Sequence, residues 1–118
     1  MIFTTKVKFI LKDGEDMKYY KLVRDQIPEI IEGKGKKCVI EILSDEKYLE
    51  MIDKKLDEEL LEYHTDKNIE ELADLVEVIY AAAKARGYTI EELEAVRTKK
   101  AAERGAFDDK ILLLEVIE

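Results

Sequence analysis

Two stretches decide the fold: DEKYLEMIDKKLDEELLEYH at residues 45–64 and IEELADLVEVIYAAAKAR at residues 69–86. In the first stretch, large apolar residues recur every three or four positions, which is the period of an amphipathic helix. In the second stretch, apolar residues cover most of a helical wheel, which is typical of a helix that neighbours enclose. The short connection between the two favours an antiparallel helical hairpin.

Capping residues predict where these two helices begin, and they also predict a third helix. Ser44 and Asn68 stand in front of the two stretches as N-caps, and Thr89 opens a further helix that ends near Gly105. A shorter helical stretch has Pro28 near its start, where a missing N–H costs little. The predicted fold is therefore mainly α: an antiparallel helical hairpin plus further helices.

Three segments are too short for helices and are rich in β-branched and other aliphatic residues. They cover residues 1–12, 36–43 and 111–118, and they predict short strands at the margins of the fold, the last able to pair with the second. The length of 118 residues fits one core. We expect a single domain over residues 19–118, with residues 1–18 as an N-terminal extension.

Composition excludes several classes of protein. The net charge of −8 argues against non-specific binding to nucleic acid, and no apolar run reaches the length of a membrane span. One cysteine cannot form an internal disulfide, and the N-terminus predicts no signal peptide, so we expect a cytoplasmic protein. The acid is concentrated: residues 45–77 hold thirteen Asp or Glu against four Lys, a net −9, which leaves about +1 for all other residues.

Four carboxylates lie where a solvated acid is not expected. On helical wheels at about 100° per residue, Glu59 and Glu62 flank the apolar stripe of the first helix. Glu71 and Asp74 lie among apolar residues of the second. A buried carboxylate must be neutralised, paired or bound to metal. The two pairs would converge in an antiparallel hairpin, and an all-oxygen group suits Mg²⁺, with Mn²⁺ as an alternative.

Ordinary structural roles remain alternatives for these residues at this point. The acids are also good helix formers on solvated faces, and Glu71 is a capping partner for Asn68. A zinc site is less favoured, because the soft or borderline ligands His64 and Cys38 are far apart in sequence. His64 fits a solvent-facing loop residue, and Cys38 fits a small buried hydrophobe.

The motif Glu58-Glu59-x-x-Glu62 followed by Glu71-x-x-Asp74 resembles the EExxE…ExxD signature of the all-α nucleoside triphosphate pyrophosphohydrolases. That superfamily includes MazG, dimeric dUTPases and phosphoribosyl-ATP pyrophosphohydrolase. YKLVRDQIPEII at residues 20–31 and RTKKAAERGAF at residues 97–107 are similar to its small MazG-like subgroup. The resemblance covers residues 19–118.

The resemblance implies Mg²⁺-dependent hydrolysis of a nucleoside triphosphate between the α and β phosphates, which gives a monophosphate and pyrophosphate. It implies that Glu59, Glu62, Glu71 and Asp74 hold the metal or position the attacking water. Glu58 or Glu59 would act as the general base. Clearance of unwanted nucleotides from the cellular pool is a further expectation.

The resemblance also implies contacts with the substrate. Lys21 and Arg24 would reach the triphosphate or the base, and Asp25 would orient them. Lys100 and Arg104 would contact phosphates, across a dimer interface in one arrangement. From the residues alone, the first three also fit an ordinary surface ion cluster, and Arg104 fits the cation that commonly ends a helix.

Two alternatives accompany the leading expectation. One is phosphoribosyl-ATP pyrophosphohydrolase of histidine biosynthesis, which cleaves the same bond in a bulkier nucleotide. The other is a non-catalytic helical dimerisation module. In either case we expect a homo-oligomer, a dimer or a dimer of dimers, because an almost wholly apolar second helix needs more cover than one short chain supplies.

Overall fold

The computed structural model describes residues 19–118, and helices account for most of them. The helices are α1 (Ile27–Gly33), α2 (Asp45–Asp66), α3 (Ile69–Ala85) and α4 (Ile90–Arg104). The prediction of a mainly helical fold is confirmed. Among the described residues, no helix combines the length and apolar content that crossing a bilayer requires.

The predicted caps lie at the helix starts. The side chains of Ser44 and Asn68 each accept a hydrogen bond from the third backbone N–H of their helix, at 3.2 and 3.0 Å. At α4 both halves of a capping box form: the Glu92 N–H donates to the Thr89 hydroxyl at 3.0 Å, and the Thr89 N–H donates to the Glu92 carboxylate at 2.9 Å. These bonds satisfy N–H groups that have no partner within the helix.

Helices α2 and α3 pack along each other and run in opposite directions. They are joined through Lys67, whose left-handed backbone (φ 51°) reverses the chain. Near the far end of the pair, the Arg86 guanidinium lies 3.4 Å from the Asp53 carboxylate. Nearer the connection, Glu59 on α2 meets Glu71 on α3. Helix α4 packs more lightly, against α3.

The buried face of the hairpin includes carboxylates beside its apolar residues. Among the described residues, the buried apolar side chains are Ile27, Ile52 and Val78. Leu60, at the edge of the apolar stripe predicted for α2 and away from its carboxylate flank, is exposed, and so is Leu72 on α3. Both helices are therefore rotated so that their carboxylate flanks meet, and the aliphatic side chains between those flanks and solvent stay partly uncovered.

The predicted strands are wrong within the described residues. Neither 36–43 nor 111–118 forms a strand there, and the predicted pairing of the two is absent from that part of the chain. Val39 and Ile42 in the first segment and Leu114 in the second are exposed. Composition favours a strand, but a strand forms only against a hydrogen-bonding partner, which this arrangement does not supply. The third predicted strand, 1–12, lies outside the described residues.

Candidate metal and phosphate site

Three carboxylates meet between α2 and α3. One oxygen each from Glu59, Glu71 and Asp74 lies within 4.8 Å of the others. Glu59 is 1% exposed and Glu71 2% exposed, while Asp74 is half-buried. Glu71 and Asp74 are one turn apart in the first half of α3, so both point to the same side, toward Glu59. We call these three residues the acidic triad.

The acidic triad has the donor chemistry of a hard cation. All three donors are carboxylate oxygens, which Mg²⁺ and Mn²⁺ prefer, and neither Cys38 nor His64 belongs to the group. Two oxygens bound to one Mg²⁺ are at most about 4.2 Å apart, twice the usual bond length of 2.1 Å. A spread of up to 4.8 Å therefore needs a contraction of about 0.6 Å, or a bridging water, to hold Mg²⁺.

A lysine on α2 partly neutralises the acidic side of the hairpin. The Lys55 ammonium lies 2.8 Å from Glu58 and 3.4 Å from Glu59. The Lys21 ammonium approaches Glu58 from the segment before α1, at 3.7 Å. Glu58 therefore lies beside the acidic triad as part of a lysine cluster. The pairing of Lys55 with Glu59, which the i, i+4 spacing predicts, is present.

Arg24 brings a second cation to the acidic triad from outside the hairpin. Its guanidinium donates a hydrogen bond to Asp74 at 2.6 Å, although the two residues are 50 positions apart. The Arg24 side chain is more than half exposed, so the pair contributes about 1 kcal/mol or less to stability. The contact fixes the position of the segment before α1 more than it stabilises the fold.

A cavity of about 210 Å³ opens beside this group. It lies between the segment before α1 and the middle of α2, and three of its lining side chains are lysines. The lining residues are Tyr20, Lys21, Leu22, Met51, Lys54, Lys55 and Glu58. Tyr20 has a left-handed backbone (φ 49°), a conformation that costs energy in a bulky residue and is often found at functional sites. Sequence reasoning did not assign Lys54 or Tyr20 to a site.

Other predicted site residues lie apart from the acidic triad. Glu62 is half-buried on α2, one turn closer to the connection, and is outside the group of three. Asp25 is exposed in the turn before α1. Lys100 and Arg104 are exposed on α4, and within residues 19–118 neither forms an ion pair with the triad.

The described titratable groups with shifted pKa values, Cys38, Glu94 and Arg97, lie outside the site. Burial raises the pKa of the Cys38 thiol, and the negative charge of Glu32 raises it further. The same thiol donates to the Pro28 carbonyl oxygen at 3.8 Å, which ties residue 38 to α1. On α4, the hydrogen bond from Arg97 lowers the pKa of the Glu94 carboxyl group.

Comparisons with known proteins give little beyond this geometry. No family model matches the chain, and no solved structure matches it. A protein of Mycolicibacterium smegmatis (strain ATCC 700084 / mc(2)155), described as uncharacterized, is 52% identical over 42 residues. The match covers 36% of this chain and 43% of that relative. The chain thus matches less than half of the relative's length, and the relative's description names no ligand or reaction.

Proposed function

We propose that the chain is a Mg²⁺-dependent nucleoside triphosphate pyrophosphohydrolase that cleaves between the α and β phosphates. The observation that carries the proposal is the acidic triad, because two nearly inaccessible carboxylates lie within 4.8 Å of a third. Lys55 and Arg24 offset part of the cost of burying these charges, and a divalent cation between the three oxygens would offset more of it. The proposed MazG-like hairpin and nucleotide clearance role rest on the resemblance of the motifs.

The residues of the acidic triad would hold the metal. When bound, Mg²⁺ polarises phosphoryl oxygens and makes a bound water a better nucleophile. Glu59 approaches from α2 and the other two residues from α3, so the packing of the hairpin sets the spacing of the ligands. Glu62, which lies outside the acidic triad, would position the attacking water or orient Glu59.

The lysine-lined cavity and Arg24 supply the cations that a triphosphate needs. Lys21, Lys54 and Lys55 line one wall, and Arg24 lies 2.6 Å from Asp74. A volume of about 210 Å³ is below the roughly 300 Å³ at which pockets begin to enclose a drug-sized ligand. The cavity fits a phosphate chain, with the nucleoside lying toward solvent near Tyr20.

Hydrolysis needs a base that takes the proton of the attacking water. Water oxygen forms a new bond to the α phosphorus, the bond to the bridging oxygen breaks, and pyrophosphate leaves with that oxygen. Glu58 is the carboxylate next to the acidic triad but outside it, so we assign it the role of the general base that accepts this proton. Glu59 is the alternative base. Lys55 lies 2.8 Å from Glu58 and would orient it.

Uncovered aliphatic side chains on α3 support a homo-oligomer, a dimer or a dimer of dimers. Leu72, Val76 and Ile79 recur on one side of the helix and are each about two-fifths exposed. A second copy packed on this stripe would bury them, as an apolar helix requires. The phosphate contacts proposed for Lys100 and Arg104 would then come from α4 of the partner.

The proposal is tested by measuring pyrophosphate release with Mg²⁺ from a panel of ribo- and deoxynucleoside triphosphates and from phosphoribosyl-ATP. Release from phosphoribosyl-ATP alone would assign the enzyme to histidine biosynthesis. Glu71→Gln should reduce release at least about 100-fold, since it removes a metal ligand without changing side-chain volume. Glu70→Gln, an exposed neighbour with the same charge change, is the matched control. Full activity of Glu71→Gln would refute the metal assignment.

A non-catalytic helical dimerisation module is the second candidate, and the exposed stripe on α3 favours it. Calorimetry with Mg²⁺ and a non-hydrolysable triphosphate separates the two. Heat of binding that Glu71→Gln abolishes supports the enzyme. Absence of heat together with absence of pyrophosphate release, in a protein that forms dimers, supports the module.

A further inference from the structure

Two segments outside the helices expose aliphatic side chains that nothing in the described chain covers. The linking segment (residues 36–43, KKCVIEIL) joins α1 to α2, and the tail segment (residues 111–118, ILLLEVIE) follows α4. Both lack regular secondary structure. In the linking segment Val39, Ile40 and Ile42 are exposed; in the tail segment the exposed residues are Ile111, Leu112, Leu113, Leu114, Val116 and Ile117.

The two segments together expose a large apolar area. A large aliphatic side chain carries about 60–120 Å² of apolar area, so the nine exposed residues amount to roughly 500–1,000 Å². Each partner in a stable complex buries about 800 Å². The area on these two segments is thus of the size that one partner contributes to an interface.

The two segments are complementary in charge and in pattern. In an antiparallel alignment with Lys36 opposite Glu118, every other position of the linking segment faces an aliphatic residue of the tail segment. On that face Cys38 lies opposite Val116, Ile40 opposite Leu114, and Ile42 opposite Leu112. On the other face, Lys37 is diagonal to Glu115, a second favourable charge pair. The basic end of one segment therefore meets the acidic end of the other.

Two copies of the same segment do not match each other in this way. A centred antiparallel pair of linking segments sets Cys38 opposite Glu41, and a centred pair of tail segments sets Leu114 opposite Glu115. Either arrangement places a carboxylate against an apolar side chain on each face. The mixed pair is favoured because it collects both carboxylates, Glu41 and Glu115, on one face and leaves the other face apolar up to the Lys36–Glu118 charge pair at its end.

We propose that the tail segment of one copy pairs as an antiparallel strand with the linking segment of a second copy, and that the exchange is reciprocal. Within the described part of one chain the two segments do not pair with each other. A two-fold axis gives each copy one donated tail segment and one accepted one, which closes the dimer and gives each segment a hydrogen-bonding partner. The proposal uses no property of the acidic triad, so it does not depend on the proposed function.

The test is a disulfide between two different chains, both in a Cys38→Ser background. One chain carries Ile40→Cys and the other Leu114→Cys, with different affinity tags, and the two are co-expressed and mildly oxidised. Directly opposite residues in an antiparallel pair have Cα atoms about 4.5–5.5 Å apart, within the range for a disulfide. We expect a cross-linked heterodimer on a non-reducing gel.

The matched control replaces Leu114→Cys by Leu113→Cys, which is also highly exposed but lies on the other face of the paired strand. Cross-linking should be about ten-fold lower in the control, because its Cβ vector points away from residue 40. Equal cross-linking of the two, or none in either, would overturn the proposed pairing.

A single chain that carries Cys38→Ser, Ile40→Cys and Leu114→Cys distinguishes a second copy from the chain itself. Exchange between copies gives a covalent dimer, whereas folding back gives a fast-migrating monomer and would overturn the proposal. Adding Leu112→Lys to this chain should reduce the yield of covalent dimer several-fold, because a lysine then lies opposite Ile42. An undiminished yield would also overturn the proposed pairing.

Discussion

Replacing Glu71 by glutamine should stabilise the metal-free protein and weaken its response to Mg²⁺. Two charges 4.8 Å apart repel by about 3.5 kcal/mol at an effective dielectric constant of 20. Glu71→Gln removes two such repulsions, with Glu59 and with Asp74. It also removes the attraction of Glu71 to the cations Lys55 and Arg24, and this loss offsets a large part of the stabilisation. We expect a net gain of about 1–3 kcal/mol in the free energy of unfolding without metal.

Mg²⁺ should shrink the stability advantage of Glu71→Gln over the wild type. At 100 times its Kd, a ligand that binds only the folded state stabilises by about 2.7 kcal/mol, which for this length is a Tm increase of about 8–16 °C. Loss of one of three protein ligands weakens binding at least about ten-fold. At the same Mg²⁺ concentration, the variant then gains about 1.4 kcal/mol or less.

The assay is thermal unfolding followed by circular dichroism, first in chelator and then across a Mg²⁺ titration. Glu70→Gln is the control, because it makes the same charge change in the first turn of α3 at an exposed position. It should respond to Mg²⁺ as the wild type does. An equal Mg²⁺ shift in Glu71→Gln and Glu70→Gln would refute the metal site, and a strong loss of stability of metal-free Glu71→Gln would refute the estimate of repulsion.

Three further predictions concern the fold. Ile52→Ala should lower the free energy of unfolding by about 2–5 kcal/mol, since Ile52 is 3% exposed. The control Ile69→Ala, at a 77% exposed position, should change it little. Urea unfolding measures both variants, and similar losses would contradict the assigned core. Thr89→Ala should cost about 1 kcal/mol through loss of the α4 cap, whereas Thr98→Ala, which removes a hydroxyl that donates within the helix, should be neutral or slightly stabilising in the same measurement. Burial raises the pKa of Cys38, so the thiol stays protonated to higher pH in the folded protein than in urea. The rate of Cys38 alkylation should therefore rise at a higher pH in the folded protein than in urea. A lower midpoint pH of alkylation in the folded state would contradict this burial.

Helical wheels located three of the four candidate carboxylates because they fix the direction in which a side chain points. The wheels place Glu59, Glu71 and Asp74 on the flanks that the hairpin buries, and the structure brings these three together. A wheel carries no information about which turn of one helix lies beside which turn of the next. Glu62 has a favourable direction, but it lies one turn closer to the connection and outside the group.

Contacts between distant parts of the chain were beyond sequence reasoning. Local pattern predicted the pairing of Lys55 with Glu59, since the two are one turn apart. Nothing local indicates that Arg24 reaches Asp74 or that Tyr20 and Lys54 line one cavity, because the packing of the segment before α1 against the hairpin decides both. The predicted strands failed for a related reason: a strand depends on its partner, which composition does not identify.

Beside the buried Ile52 and Val78, the hairpin buries two carboxylates and leaves a stripe of aliphatic side chains partly exposed. Both features cost free energy, through mutual repulsion of buried acids and through hydration of apolar surface. The proposed complements are a divalent cation, which joins the cations already at the acidic triad, and an apolar surface over the stripe of Leu72, Val76 and Ile79. If both complements come from outside the chain, Tm should rise with Mg²⁺ and, separately, with protein concentration. The Mg²⁺ effect should then fall to about half or less in Glu71→Gln while the concentration effect remains, since the two arise on different faces of the same helix.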